Sequence, residues 1–268
     1  MSNKLTEEAY VELQTAYNYY NQHLFDNQLA QCLITFQRNS KTMGYFSCQR
    51  FVSPKNGAMI KDEIAIKPEY LPSYPLVEVM QTLVHEMCHM WQYHYGTPSR
   101  RTYHNVEWAG KMESIGLMPS STGTVGGAKT GQKIAGYPIP NGLFQRYTLE
   151  LFKSGFVSSW YARFPAEVAP VYTFSAAIEE WRDTLAQTNQ CANEAESEVE
   201  VTESLLSMAL VAPVSTFGAV NLAITRSAKA KTRHKWMCPE CGDSFMGKSS
   251  LNMICGNCYV KVVDLDVE

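Results

Sequence analysis

A chain of 268 residues can hold one large domain or two modest ones, and its 45% hydrophobic and 18% charged content excludes general disorder. A formal net charge of −3 excludes a polycation that coats nucleic acid indiscriminately, so nucleic-acid contact would need a local patch. No run approaches the ~18 apolar residues of a membrane helix, and the polar start, Met1 to Glu12, lacks a secretory leader pattern; no membrane partner is expected and the cytoplasm is the expected address.

In chain order, Leu13, Ala16, Tyr17, Tyr20 and Leu24 fall at helical spacing, which predicts a helix over Thr6 to Leu24 with Thr6 as its N-cap. Strands are predicted over Ala30 to Gln37, Gly44 to Phe51 and Asp62 to Lys67, with Lys55-Asn56-Gly57 as a turn. An apolar helical pattern returns over Leu76 to Tyr95, and a further helix is predicted over Val106 to Ile115, closed by Gly116. The tract Gly116 to Gly142 holds seven glycines and three prolines, which predicts a break in regular structure. Its Gly126 to Lys133 portion is not a phosphate loop, because Gln132-Lys133 follows Gly131 where Lys-Ser/Thr is required.

Leu143, Tyr147 and Leu151 lie one turn apart in a helix that Gly155 would end, and an aromatic region follows up to Trp181. Residues 185–204 carry five glutamates and no base, residues 226–235 five bases and no acid, and an apolar stretch, Leu205 to Ile224, lies between. This divides the chain into a catalytic domain at 1–118, a Gly/Pro-rich and helical middle region at 119–184, a linker at 185–235 and a cysteine-rich module at 236–268.

The chemistry centres on His85-Glu86-Met87-Cys88-His89. Histidines four apart share one helix face, so both imidazoles reach a single ion, and Glu86 projects toward the place of an attacking water whose proton it can take. The flanking Met80, Leu83, Val84, Met87 and Cys88 bury this helix, so two histidines and a glutamate there need a reason. A third ligand must come from elsewhere. Gln92 and Tyr95 stand where a metzincin has glycine and histidine, and His94 is rotated off the ligand face. His104 is the better candidate, because Gly96-Thr97-Pro98-Ser99 lets the chain fold back; Glu107 is its rival. Tyr103 is a candidate oxyanion donor by its position beside His104, although packing explains it better.

Of eight cysteines, Cys32, Cys48, Cys88 and Cys191 are scattered and four form Cys-x-x-Cys pairs, which without a leader read as metal ligands rather than disulfides. Cys238, Cys241, Cys255 and Cys258 form two Cys-x-x-Cys knuckles, which predicts a closed, structural Cys₄ zinc site in a ribbon. Zinc is therefore expected twice, once catalytic and once structural. Arg226, Lys229, Lys231, Arg233 and Lys235 precede the ribbon, and Trp236, Phe245 and Tyr259 offer stacking faces, a combination suited to single-stranded nucleic acid. The alternative places the aromatics in the ribbon's own core.

His85-Glu86-Met87-Cys88-His89, then His104-Asn105-Val106-Glu107-Trp108, then the cysteine pairs resemble the SprT-like (Spartan-related) zinc metallopeptidase family. Tyr19 to Leu29, Thr42-Met43-Gly44-Tyr45 and Asp62-Glu63-Ile64-Ala65-Ile66 are similar to the elements that precede the motif there. The resemblance implies His85, His89 and His104 as zinc ligands, Glu86 as general base, protein substrates and stimulation by DNA. Pro119 to Gly142 is similar to SprT-like proteins of bacteria and their mobile elements, which implies a bacterial host, with association to the nucleoid if the protein binds DNA. The long insertion between His104 and Cys238 departs from compact relatives.

The expected architecture is α+β: a zincin-like domain with an N-terminal helix, a small sheet and the HExxH helix, then a helical middle region and a zinc ribbon. The competing readings are a nucleic-acid-binding zinc protein and a mobile-element regulatory protein, each with a non-proteolytic metal site.

Overall fold

A computed structural model describes residues 4–38, 42–100, 103–164, 233–248 and 252–265. The chain divides into two compact units, Met1–Ala223 and Ile224–Glu268. The aromatic region from residue 165 to Trp181, the acidic run, the apolar stretch 205–224 and Arg226, Lys229 and Lys231 lie outside the described residues.

The first unit opens with α1 (Leu5–Leu24), whose Leu13, Ala16, Tyr17, Tyr20 and Leu24 are all buried, as their spacing predicts. Thr6 lies inside this helix, not at its cap; Lys4 holds the cap position without a side-chain bond. The three strands β1 (Leu33–Phe36), β2 (Gly44–Ser53) and β3 (Met59–Ile66) form a sheet in the order β1-β3-β2. β1 runs parallel to the central β3, and β2 runs antiparallel to it along the opposite edge. A bulge shifts the β2 register between Ser47 and Phe51. There Gln49 takes a positive φ of 51° and donates its N–H to Asp62 Oδ1 at 2.7 Å. The second Asp62 oxygen lies 2.6 Å from Nε2 of His94, which the sequence places off the ligand face.

The central element is α2 (Leu76–Tyr95), which spans the residues the sequence predicts. Leu76, Val77, Val79, Met80, Leu83, Val84, Met87, Cys88 and Met90 are buried around most of its circumference, the pattern of a helix enclosed by its own domain. The short α3 (Val106–Ser114) follows the turn at Gly96, and Asn105 caps it by accepting from Trp108 N–H at 3.0 Å.

The glycine-rich tract is not irregular throughout, as its composition predicts: β4 (Leu117–Ser120) pairs antiparallel with β5 (Ala135–Pro138) across it. The boundary drawn at residue 118 therefore falls inside a strand. α4 (Leu143–Lys153) then packs on α1: the Tyr20 and Phe144 rings stack at 5.9 Å, and the Tyr20 hydroxyl lies 2.9 Å from Thr148 Oγ1 in the interior. Leu117, Ile134, Phe144, Leu151 and Phe152 belong to the same core as α1 and α2.

In the second unit β6 (His234–Met237) lies between β7 (Ser244–Gly247) and β8 (Val263–Asp264), antiparallel to both. The buried residues of its core are Trp236, Cys238 and Val262.

Glu78, in the first turn of α2, is half-buried, and loss of hydration raises its carboxyl from 4.5 to about 8. The folded protein thus keeps this proton to higher pH than the unfolded chain does. Stability is lost as pH rises from 4.5 to about 8 and is fully present below that window. Glu78→Gln removes the titration, so thermal melts should show the variant more stable than the parent at pH 8 by on the order of 4 kcal/mol, with the difference vanishing below pH 4.5. An equal offset at every pH would contradict this.

Candidate metal centres

His85 and His89 lie one turn apart on α2, and the turn from Gly96 brings His104 against them. Nε2 of His104 lies 3.1 Å from Nε2 of His89 and 3.4 Å from Nε2 of His85. Tetrahedral zinc with Zn–N bonds of ~2.0–2.1 Å requires nitrogens about 3.3 Å apart, so the donors fit such an ion. Burial lowers the pKa of all three: His85 far below its usual value, His89 to about 3, and His104 more modestly, since its bond to Gly131 opposes the shift. Each imidazole is therefore neutral, the form in which nitrogen binds metal.

Trp108 forms the wall behind the three rings. Its indole is fully buried, with ring centroids 4.8 Å from His85, 5.1 Å from His89 and 4.3 Å from His104. Glu86 is 7% exposed, and burial raises its carboxyl to about 8, against the lowering effect of the Phe46 backbone N–H. This contact sets the start of β2 beside the carboxylate. Gly44 makes the approach feasible: a Cβ there would lie 2.8 Å from Thr82 Cγ2 and 3.4 Å from Glu86 Cγ.

Glu107, the rival third ligand, is engaged elsewhere. Its Oε2 accepts from Gln92 Nε2 at 2.7 Å and from Thr97 N–H at 2.6 Å. Gln92 Nε2 also donates to Asn105 Oδ1 at 2.7 Å, while Asn105 Nδ2 donates to the Thr97 carbonyl at 3.0 Å. These four residues fasten the end of α2 to the start of α3 and so fix the fold-back that delivers His104. Tyr103 is half-buried, with the Arg100 guanidinium 5.2 Å over its ring.

In the second unit Cys238, Cys241, Cys255 and Cys258 bring their sulfurs within 4.8 Å of one another. The Cys241 and Cys255 sulfurs are 3.7 Å apart, against about 3.8 Å for a tetrahedron with Zn–S bonds of ~2.3 Å. Among the described residues these cysteines and the three histidines are the two groups able to hold a metal, both consistent with zinc. Trp236 is 6% exposed, and its Nε1 donates to the Lys248 carbonyl at 3.2 Å. It is part of the ribbon core and offers no stacking face. Phe245 is half-buried against the same core, whereas Tyr259 is 83% exposed, and Arg233 and Lys235 are exposed as well.

The sequence alone does not reveal the Gln92–Glu107–Thr97 junction or the Trp108 wall. The first depends on the return angle after Gly96; the second has a local signal, an aromatic residue at i+4 from His104 on the next helix.

The SprT-like family model matches residues 13–126. An uncharacterized protein in the mucB 3' region of Salmonella typhimurium is 51% identical over 59 residues, which cover 22% of this chain and 78% of that protein. No solved structure matches. No helix among the described residues is long and apolar enough to cross a membrane.

If Glu107 serves the junction and not the metal, Glu107→Ala should leave zinc content unchanged and lower stability by ~1–2 kcal/mol. Metal analysis beside a urea melt checks both. Loss of a zinc equivalent from a folded variant would make Glu107 a ligand.

Proposed function

Because this chain belongs to the SprT-like family, we propose that it is a zinc-dependent peptidase hydrolysing protein substrates, with His85, His89 and His104 as ligands and Glu86 as general base. The observation that carries the reading is the convergence of three imidazoles, two of them on the helix that also carries the buried Glu86. Zinc bound there supplies Lewis-acid polarisation of the scissile carbonyl and lowers the pKa of a water.

The protein's own groups do the rest. Burial alone disfavours the ionised form of Glu86, which a cation held by the histidines would favour. The ionised carboxylate accepts the proton of the attacking water and passes it to the leaving amine. Trp108 closes the rear of the site and keeps bulk water from the imidazoles. The edge strand β2 beside Glu86 supports the reading, because an extended peptide can pair with a sheet edge and so lie next to that carboxyl.

The Cys₄ group is read as structural, since four thiolates leave no open position. Single-stranded DNA is proposed as a partner that stimulates cleavage. What supports it is the exposure of Arg233, Lys235 and Tyr259 on the ribbon, joined by Arg226, Lys229 and Lys231 in the preceding sequence.

One experiment tests both parts: incubation of the zinc-loaded protein and its Glu86→Gln variant with a DNA-binding protein, with and without single-stranded DNA. The parent should cleave, more rapidly with DNA. The variant should bind zinc equally and lose at least ~100-fold in rate. Undiminished cleavage by folded Glu86→Gln would refute the mechanism, and equal rates with and without DNA would refute the stimulation.

A further inference from the structure

The loop joining β4 to β5 returns to the third histidine. His104 donates its N–H to the Gly131 carbonyl at 2.8 Å, and Gly131 donates its N–H to the His104 carbonyl at 3.1 Å, a two-residue antiparallel bridge. The same Gly131 oxygen lies 3.0 Å from Nδ1 of His104. A carbonyl oxygen only accepts, so Nδ1 carries the ring proton and Nε2 keeps its lone pair, directed at the Nε2 atoms of His85 and His89.

The backbone at this point suits glycine. Gly131 has a φ of +148°, which residues with a Cβ rarely adopt, although the space is open: the nearest atom to an added methyl is Ile134 Cδ1 at 3.5 Å. The loop is held at several places. Ser121 N–H donates to the Ala128 carbonyl at 2.8 Å, Ser120 Oγ donates to the Thr124 carbonyl at 2.6 Å, and Lys129 Nζ pairs with Glu113 of α3 at 3.0 Å. Gly131 also lies beyond the family-matched segment 13–126.

We propose that Gly131 is a positioning residue for the metal site: its main-chain carbonyl fixes the tautomer and aim of His104, so that the β4–β5 loop completes the three-histidine centre. The inference rests on the metal-binding reading above and deepens it. Partners that hold the distal nitrogen of a metal-binding histidine typically contribute 10–100-fold to metal affinity. Here that contribution comes from a main-chain oxygen, which no side-chain deletion removes, so the test has to act on the backbone.

The test uses the full chain and two glycine variants of one loop. Gly131→Ala strains the backbone at the bridge. Gly126→Ala introduces similar strain at φ +90°, where nothing lies within 4 Å of the added methyl. Cobalt(II) titration distinguishes the cysteine site, by its thiolate charge-transfer bands, from the histidine site. Gly131→Ala should bind cobalt at the histidine site ~10–100-fold more weakly, with the cysteine site unchanged and Gly126→Ala matching the parent. Affinity of Gly131→Ala within twofold of the parent would overturn the proposal, as would an equal loss in Gly126→Ala.

Should Gly131→Ala fail to fold, long-range proton–nitrogen spectra of the parent decide. A protected Nδ1–H on His104 supports the proposal, and an Nε2–H tautomer in the metal-free protein overturns it. A parent that takes no metal at its histidines refutes the peptidase reading instead, and the tautomer measurement still judges the bridge separately.

Discussion

Three imidazole nitrogens converge, with Nε2 of His104 3.1 and 3.4 Å from those of His89 and His85, a spacing that suits a shared cation and that, without one, a ring proton passed between two neutral rings also satisfies. Burial opposes a positive charge on the rings themselves, at His85, His89 and His104 alike. The first unit is organised around sustaining that arrangement. α2 is enclosed on most of its circumference, which keeps His85 and His89 from rotating outward. Trp108 fills the space behind the rings, and the Gln92–Glu107–Thr97 junction sets the angle at which the chain returns with His104.

The two metal groups solve different problems. Among the described residues the second unit's core has three buried residues, little apolar area to hold a fold by itself, and a metal on the four candidate thiolates would supply a cross-link there. The histidine site has the opposite character. Its surrounding core is large, its candidate donors number three, and the residue after the first of them, Glu86, is a buried carboxyl group.

Legibility in the sequence follows the range of the interactions. α2 is legible to its ends, because both its apolar pattern and its i, i+4 histidines are local. His104 ranks above Glu107 on chemical grounds, but what occupies Glu107 depends on the turn at Gly96 and on Gln92 of another helix. The pairing of β4 with β5 is hidden because glycines and prolines dominate the tract, and its strands are four residues each. Trp236 reads as a stacking face beside a basic run; the ribbon is so small that its large aromatic ring is needed inside. Thr6 shows the limit of cap signals, since the helix begins one residue before it.

The claim on which the rest depends is that His104 joins the α2 histidines in holding one ion. Metal analysis of the folded full chain and of His104→Ala after dialysis against a weak chelator tests it most directly. The account predicts two zinc equivalents in the parent, one for each group, and only the cysteine-bound one in the variant. A His104→Ala protein that retains both equivalents, or a parent that carries zinc at its cysteines alone, would contradict it.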